Sequence, residues 1–179
     1  MRRRLFGRRR SDDIPAVIYG AIVAQSRNPA LYAELHVADS VEGRMESIIL
    51  HLVLVLRRAA ASDQAIRDAG QAVFDLFCVD MDRSMREMGV GDLSVPKRMR
   101  EIGELYYGRS RAYAAALNAG DRPALVALLE RSVPAADDRE LAAEHLAAYM
   151  QANDSVLAKV TDGELLQGNL AFADPGRQS

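Results

Sequence analysis

The sequence predicts an all-α fold, a single-domain bundle of about six to eight helices, with a basic, disordered N-terminal arm and an extended C-terminal tail. Three observations predict it. Alanine, leucine and arginine dominate, β-branched runs are short, and tryptophan is absent, a composition that favours helix. Apolar residues recur at three- and four-residue spacing in segment after segment. Helix start and stop signals separate those segments. The 179 residues suffice for one domain with a sizeable core. They divide into a flexible arm (1–12), a helical domain (13–160) and a strap or tail (161–179).

The formal net charge of −2 hides an asymmetry. Arg2, Arg3, Arg4, Arg8, Arg9 and Arg10 make the arm strongly basic, while acidic residues outnumber basic ones in the remainder. Anionic surfaces attract such an arm and repel such a body, so lipid head groups and ribosomal RNA are its candidate partners. A solvated chain end is the alternative. The apolar run over residues 14–24 imitates a secretory signal behind these arginines. Asp12 and Asp13 intervene, however, Pro15 and Gly20 interrupt the run, and it is too short to cross a bilayer. The preferred reading is a first helix, capped by Ser11 or one of the aspartates, that packs Val17, Ile18 and Ile22 inward.

Asn28-Pro29 stops that helix, and Pro29 starts a short one through Leu35. Asp39, with Glu42 three residues on, has the form of a capping box for the strongest helix in the chain. Its run from Ile48 to Leu56 is apolar on nearly every face, which requires burial at the centre of a bundle. His51 is then a core histidine with one bonded nitrogen, and Arg57 and Arg58 complement the dipole at the helix end. Ser62 or Asp63 caps the next helix, whose stripe Ile66, Ala69, Val73, Leu76, Phe77, Asp80, Ser84 turns from apolar to polar. That change predicts a helix leaving the core at its far end. Gly89-Val90-Gly91-Asp92 breaks it at a tight corner, and Ser94 caps a helix with Pro96 in its first turn. Asn118-Ala119-Gly120 ends that helix. Asp121-Arg122-Pro123 starts another that stops at Val133-Pro134. Asp137 with Glu140 caps the one after, carrying Leu141, His145, Leu146 and Tyr149, and helix continues to about Val160. Leu165, Leu166, Leu170 and Phe172 anchor the tail.

Catalytic signatures are missing. His36, His51 and His145 are scattered with no ligand at helical spacing, so no metal site is expected, and no phosphate loop, dinucleotide fingerprint or nucleophile elbow occurs. The lone Cys78 excludes an internal disulfide and suits a reducing compartment. Its neighbours Phe74, Phe77 and Met81 make it a small core residue. Asp75 and Asp82 share a helix face as magnesium ligands of isoprenoid-type helical enzymes do, but Asp80 points elsewhere and a second aspartate-rich helix is lacking. Tyr106, Tyr107 and Tyr113 cluster with Arg109 and Arg111. Such residues suit an interface hot spot or, equally, a core with hydroxyls reaching the surface.

The segments Val37-Ala38-Asp39-Ser40-Val41-Glu42-Gly43-Arg44, the helix with His51 and Arg57, Met81-Asp82, Met85-Arg86-Glu87-Met88-Gly89-Val90-Gly91-Asp92, Val95-Pro96-Lys97-Arg98-Met99, and Tyr107-Gly108-Arg109 with Tyr113 resemble the ubiquinol–cytochrome c chaperone family over roughly residues 14–170. The resemblance implies a non-enzymatic, all-helical assembly chaperone without cofactor, small-molecule substrate or DNA partner. Its client would be newly made cytochrome b, bound at the cytoplasmic face of the inner membrane. The residues expected to meet that client are Arg86, Glu87, Met88, Asp92, Lys97, Tyr106, Tyr107 and Arg109. The arm would suit the ribosome or an anionic membrane surface. A magnesium-dependent isoprenoid-type enzyme and a ribosome- or RNA-binding adaptor are the alternatives.

Overall fold

The computed structural model describes residues 14–177. Among them the helices are α1 (Ile14–Ser26), α2 (Pro29–Ala33), α3 (Val41–Ala60), α4 (Gln64–Glu87), α5 (Val95–Ala119), α6 (Arg122–Ser132), α7 (Arg139–Leu157) and α8 (Asp162–Leu166), with a 3₁₀ turn at Pro175–Arg177. No strand occurs among the described residues. An isolated antiparallel bridge joins Val37 to Ala135. The fold is all-α, and the arm with its six arginines lies outside the described residues.

Helix α3 occupies the centre, packed against α1, α4, α5 and α7. Residues Ile49, Leu50, Leu52, Val53, Leu54 and Val55 are all buried, as an apolar surface on every side requires. Its cap is Ser40 rather than Asp39: the Ser40 hydroxyl accepts the Gly43 N–H at 3.1 Å, while Asp39 accepts from Arg44 Nε at 2.6 Å. Glycine is required at position 43. A Cβ there would lie 2.0 Å from the Ala38 carbonyl oxygen, because the incoming chain crosses directly over the first turn.

Local capping chemistry positions the other helices. Asn28 caps α2, Asp63 caps α4 and Asp121 caps α6, each through its side-chain oxygen. Asp138, not Asp137, caps α7 through the Leu141 N–H. Ser94 sits at the start of α5 with helical φ/ψ and makes no side-chain cap, contrary to expectation. Left-handed Gly120 closes α5 at φ 63°. Helix α7 ends at Leu157, short of the expected Val160, and the chain restarts as α8 behind a Thr161–Glu164 capping box. Helix α4 leaves the main core past Met81, and Arg83, Arg86 and Glu87 are exposed, but its polar end stays tethered. The Tyr19 hydroxyl donates to Asp80 at 2.8 Å, and Met85 is buried in the last turn.

A polar network lies at the apolar centre. The Ser47 carbonyl can only accept, so His51 Nδ1 carries the proton and donates to it at 2.7 Å. His51 Nε2 must then accept from the Tyr149 hydroxyl at 2.8 Å, and the Tyr149 oxygen accepts from Gln25 Nε2 at 2.8 Å. Both ring nitrogens are therefore bonded, where one was expected. Asn153 donates to the Tyr149 carbonyl and accepts the Ala173 N–H, while Phe172 meets the His51 ring edge-on at 5.6 Å. This ties the tail to the core. Arg57 is occupied by Asp154 and Asn118, and Arg58 by the Val160 carbonyl and Asp162, so both do more than complement a dipole.

Burial lowers the His51 pKa from 6.5 to about 4, against the smaller opposing effect of the Ser47 bond. Between those values the unfolded chain binds the extra proton, so stability is full above the unfolded pKa and falls as pH drops towards the folded one. Urea unfolding at pH 7 and pH 5 should differ by about 2 kcal/mol from this group, and His51→Gln should flatten that slope while lowering stability at pH 7. Tyr149→Phe should cost about 1–3 kcal/mol in the same assay. Gly43→Ala should cost about 2–4 kcal/mol, whereas Gly20→Ala, which faces open space on α1, should be neutral or stabilising by up to about 1 kcal/mol.

Candidate functional site

Helices α4 and α5 form an antiparallel hairpin, and the expected client-binding residues fall at two separate places on it. The first is the corner joining the helices. Only Gly89 adopts positive φ, 83°, and a Cβ at either Gly89 or Gly91 would meet nothing. The corner is open rather than glycine-tight. Arg86 holds it by donating Nε to Asp82 Oδ2 at 2.7 Å and Nη1 to Asp92 across the turn. That hydrogen bond from Arg86 keeps the Asp82 carboxyl below its usual range. Glu87 accepts from Arg83 at 2.8 Å, and Lys97 and Arg98 reach Glu101 at 4.0 and 3.0 Å. These pairs are exposed and local, so each contributes little to stability. Met88 is 58 % exposed. Leu93, which sequence reasoning passed over, is 98 % exposed.

The second place is a groove of about 210 Å³ where α3, α4 and α5 meet, lined by Leu56, Arg67, Gly70, Phe74, Tyr106 and Tyr107 among others. Phe74 lies 4.6 Å from the Tyr106 ring and 5.6 Å from that of Tyr107, centroid to centroid, forming an aromatic wall. Tyr107 is 61 % exposed and Tyr106 only 6 %, so of the pair expected to meet a partner only Tyr107 offers a free face. Burial pushes the Tyr106 hydroxyl up to about 12. The helical run from Val95 to Tyr107 spans roughly 18 Å, which separates groove from corner. The groove is smaller than the roughly 300–1,000 Å³ typical of sites that enclose a small molecule.

Arg109 belongs to neither place. It turns towards α3, where its Nη2 lies 3.5 Å from Glu46, a residue 5 % exposed. Burial raises the Glu46 pKa and Arg109 partly restores it. Tyr113 shares this inward side and is wholly buried. The i, i+7 spacing did place Tyr106 and Tyr113 together, on the core side.

The remaining candidates are engaged. Asp75 accepts from Gln71, Asp80 from Tyr19 and Asp82 from Arg86. Among the described residues, no three His, Cys, Asp or Glu side chains come together as a metal site. Burial raises the Cys78 thiol pKa, which suppresses thiolate chemistry. His36 and His145 are not scattered but sit with ring centroids 5.8 Å apart, a pairing that no sequence spacing signals. No helix among the described residues is long and apolar enough to cross a membrane.

Against known proteins, the profile of the ubiquinol–cytochrome C chaperone family matches residues 33–172. The crystal structure of the Cbp3 homolog from Brucella abortus is similar over 93 % of this chain and 92 % of that one, at 35 % identity and a TM-score of 0.84. Among curated proteins none matches. The profile spans helices α3 to α8 and includes both the corner and the groove, so the chain belongs to the ubiquinol–cytochrome c chaperone family, whose members act in assembly of ubiquinol–cytochrome c reductase.

Proposed function

We propose that the chain binds newly made cytochrome b at the cytoplasmic face of the inner membrane, as a peripheral protein that makes and breaks no covalent bond. The client lies along the α4–α5 hairpin. One observation carries this reading: the exposed Tyr107 face over an apolar, aromatic-walled groove, on a chain of this family. A nascent membrane subunit presents apolar side chains that need cover, and a rigid aromatic with a polar hydroxyl supplies contact area at low entropic cost. Tyr106 braces Tyr107 from within, and Arg109 positions α5 through Glu46. At the other end of the hairpin Met88 adds apolar contact, while Arg86, Glu87, Asp92 and Lys97 orient the client by charge. The arm, through Arg2, Arg3, Arg4, Arg8, Arg9 and Arg10, contacts the ribosome or an anionic membrane surface.

Pull-down from mildly solubilised membranes should recover cytochrome b with the full chain. Tyr107→Ala should reduce that recovery by about fivefold or more, and Asp92→Arg with Lys97→Glu should reduce it further. Recovery unchanged by all three substitutions would move the client elsewhere. Binding to ribosomes or anionic vesicles should weaken steeply with salt, and deleting residues 1–10 should flatten that dependence.

A further inference from the structure

We propose that Glu46 is a positioning residue for the client face: when a client presses on Tyr107 from outside α5, the loose ion pair between Glu46 and Arg109 on the inner side of that helix closes. The inference rests on the client reading. It starts from an inversion among the ion pairs. Exposed or half-exposed carboxylates meet arginine at close range, Asp39 at 2.6 Å and Glu87, Glu144, Asp154 and Asp162 at 2.8 Å. Among the described residues, Glu46 is the one buried carboxylate in an ion pair, and its arginine stands off at 3.5 Å. Arg109 Nε and the Tyr113 hydroxyl, close to that pair, are both buried without a hydrogen-bond partner. Ser132 Oγ, beside Tyr113, donates to the Leu128 carbonyl. Bonding is therefore weakest where an unmet charge costs most.

The helix itself transmits the contact. Residues two apart on a helix project about 200° from one another. Tyr107 accordingly faces solvent while Arg109 faces Glu46 across the seam with α3. Pressure on Tyr107 drives α5 towards α3, and the seam leaves room for it. A groove of about 460 Å³ lies between the two helices, lined by Leu56, Ala60, Tyr106, Ser110 and Ala114 among others. Closing the pair from 3.5 Å to the 2.8 Å that Arg57 and Asp154 reach lets Arg109 Nη2 and Nε grip the carboxylate as a fork. Client binding and closure then favour each other, and such coupling is reciprocal. In the free chain the carboxylate is a burden on the fold. Burial raises its pKa, and Arg109, the one charged group bearing on it among the described residues, offsets this only in part.

The test is Glu46→Gln in the full chain, which keeps the shape of the side chain and removes its charge. At pH 7 this chain should melt at an equal or higher temperature, since a costly buried carboxylate is gone and Arg109, 27 % exposed, keeps access to water. It should nevertheless recover cytochrome b from membranes about fivefold less well, or worse. The two readouts separate the roles, because a Glu46 that merely held the fold would lose stability and recovery together. Protonation should act as the substitution does. The closed pair holds the Glu46 carboxyl at a lower pKa than the open one, so the client-bound chain binds fewer protons and recovery by wild type should climb as pH is raised from about 5 to about 7. Glu46→Gln should flatten that climb. A Glu46→Gln chain that melts lower, or a pH profile that it leaves unchanged, would overturn the proposal. So would full recovery by Glu46→Gln where Tyr107→Ala recovers less, and the client reading would then stand. Recovery unaffected by either substitution would overturn both.

Discussion

His51 governs the bundle because it has one place where both ring nitrogens are satisfied. A central helix apolar on every face could otherwise rotate or slide against its neighbours at little cost. The net gain from each neutral hydrogen bond is about 1 kcal/mol, but leaving one buried partner unmade costs about 1–3 kcal/mol. The weight of the network therefore lies in the penalty against any other register. Gln25 from α1, Ser47 and His51 from α3, Tyr149 and Asn153 from α7, and the Ala173 N–H from the tail are all held to it. Four segments distant in sequence share one constraint.

Away from that centre the interactions become progressively looser. Glu46 and Arg109 join α3 to α5 at 3.5 Å, part-buried, and Arg57 and Arg58 lash the end of α3 to α7 and α8. The ion pairs of the corner are exposed and almost all within one turn of a single helix. Only the last group can be altered without disturbing the core. Surface function thus has room on the outer side of the hairpin, where Tyr107, Met88 and Leu93 stand exposed.

What could be read from sequence was what local chemistry decides. Asn28, Asp63 and Asp121 cap helices where their oxygens meet the first free amides, and Gly120 stops α5 because its left-handed φ suits glycine. Where two neighbours offered similar oxygens, the residue pattern was degenerate. Ser40 prevails over Asp39 and Asp138 over Asp137 through backbone geometry that no spacing encodes. The tyrosines show the same limit at the level of the site. Spacing put Tyr106 and Tyr113 on one face, but Phe74, Phe77 and Glu46, from other helices, turn that face inward. Leu93 escaped notice because a single leucine between Asp92 and Ser94 has no periodic partner.

An assembly chaperone must also release its client, and the hairpin's proportions bear on that requirement. The groove of about 210 Å³ accepts side chains rather than a whole helix, so a client held there and at the corner roughly 18 Å away is gripped at separated points. Exposed charges are screened and contribute modestly, which leaves a few apolar contacts to carry affinity. Contacts of this kind are lost singly as client helices find their own partners, because each apolar side chain that packs into the assembling subunit leaves less surface for the chaperone to cover. On the proposed reading, weak and divided binding is therefore what makes transfer possible: a deep enclosing cavity would hold the client more tightly and compete with its folding.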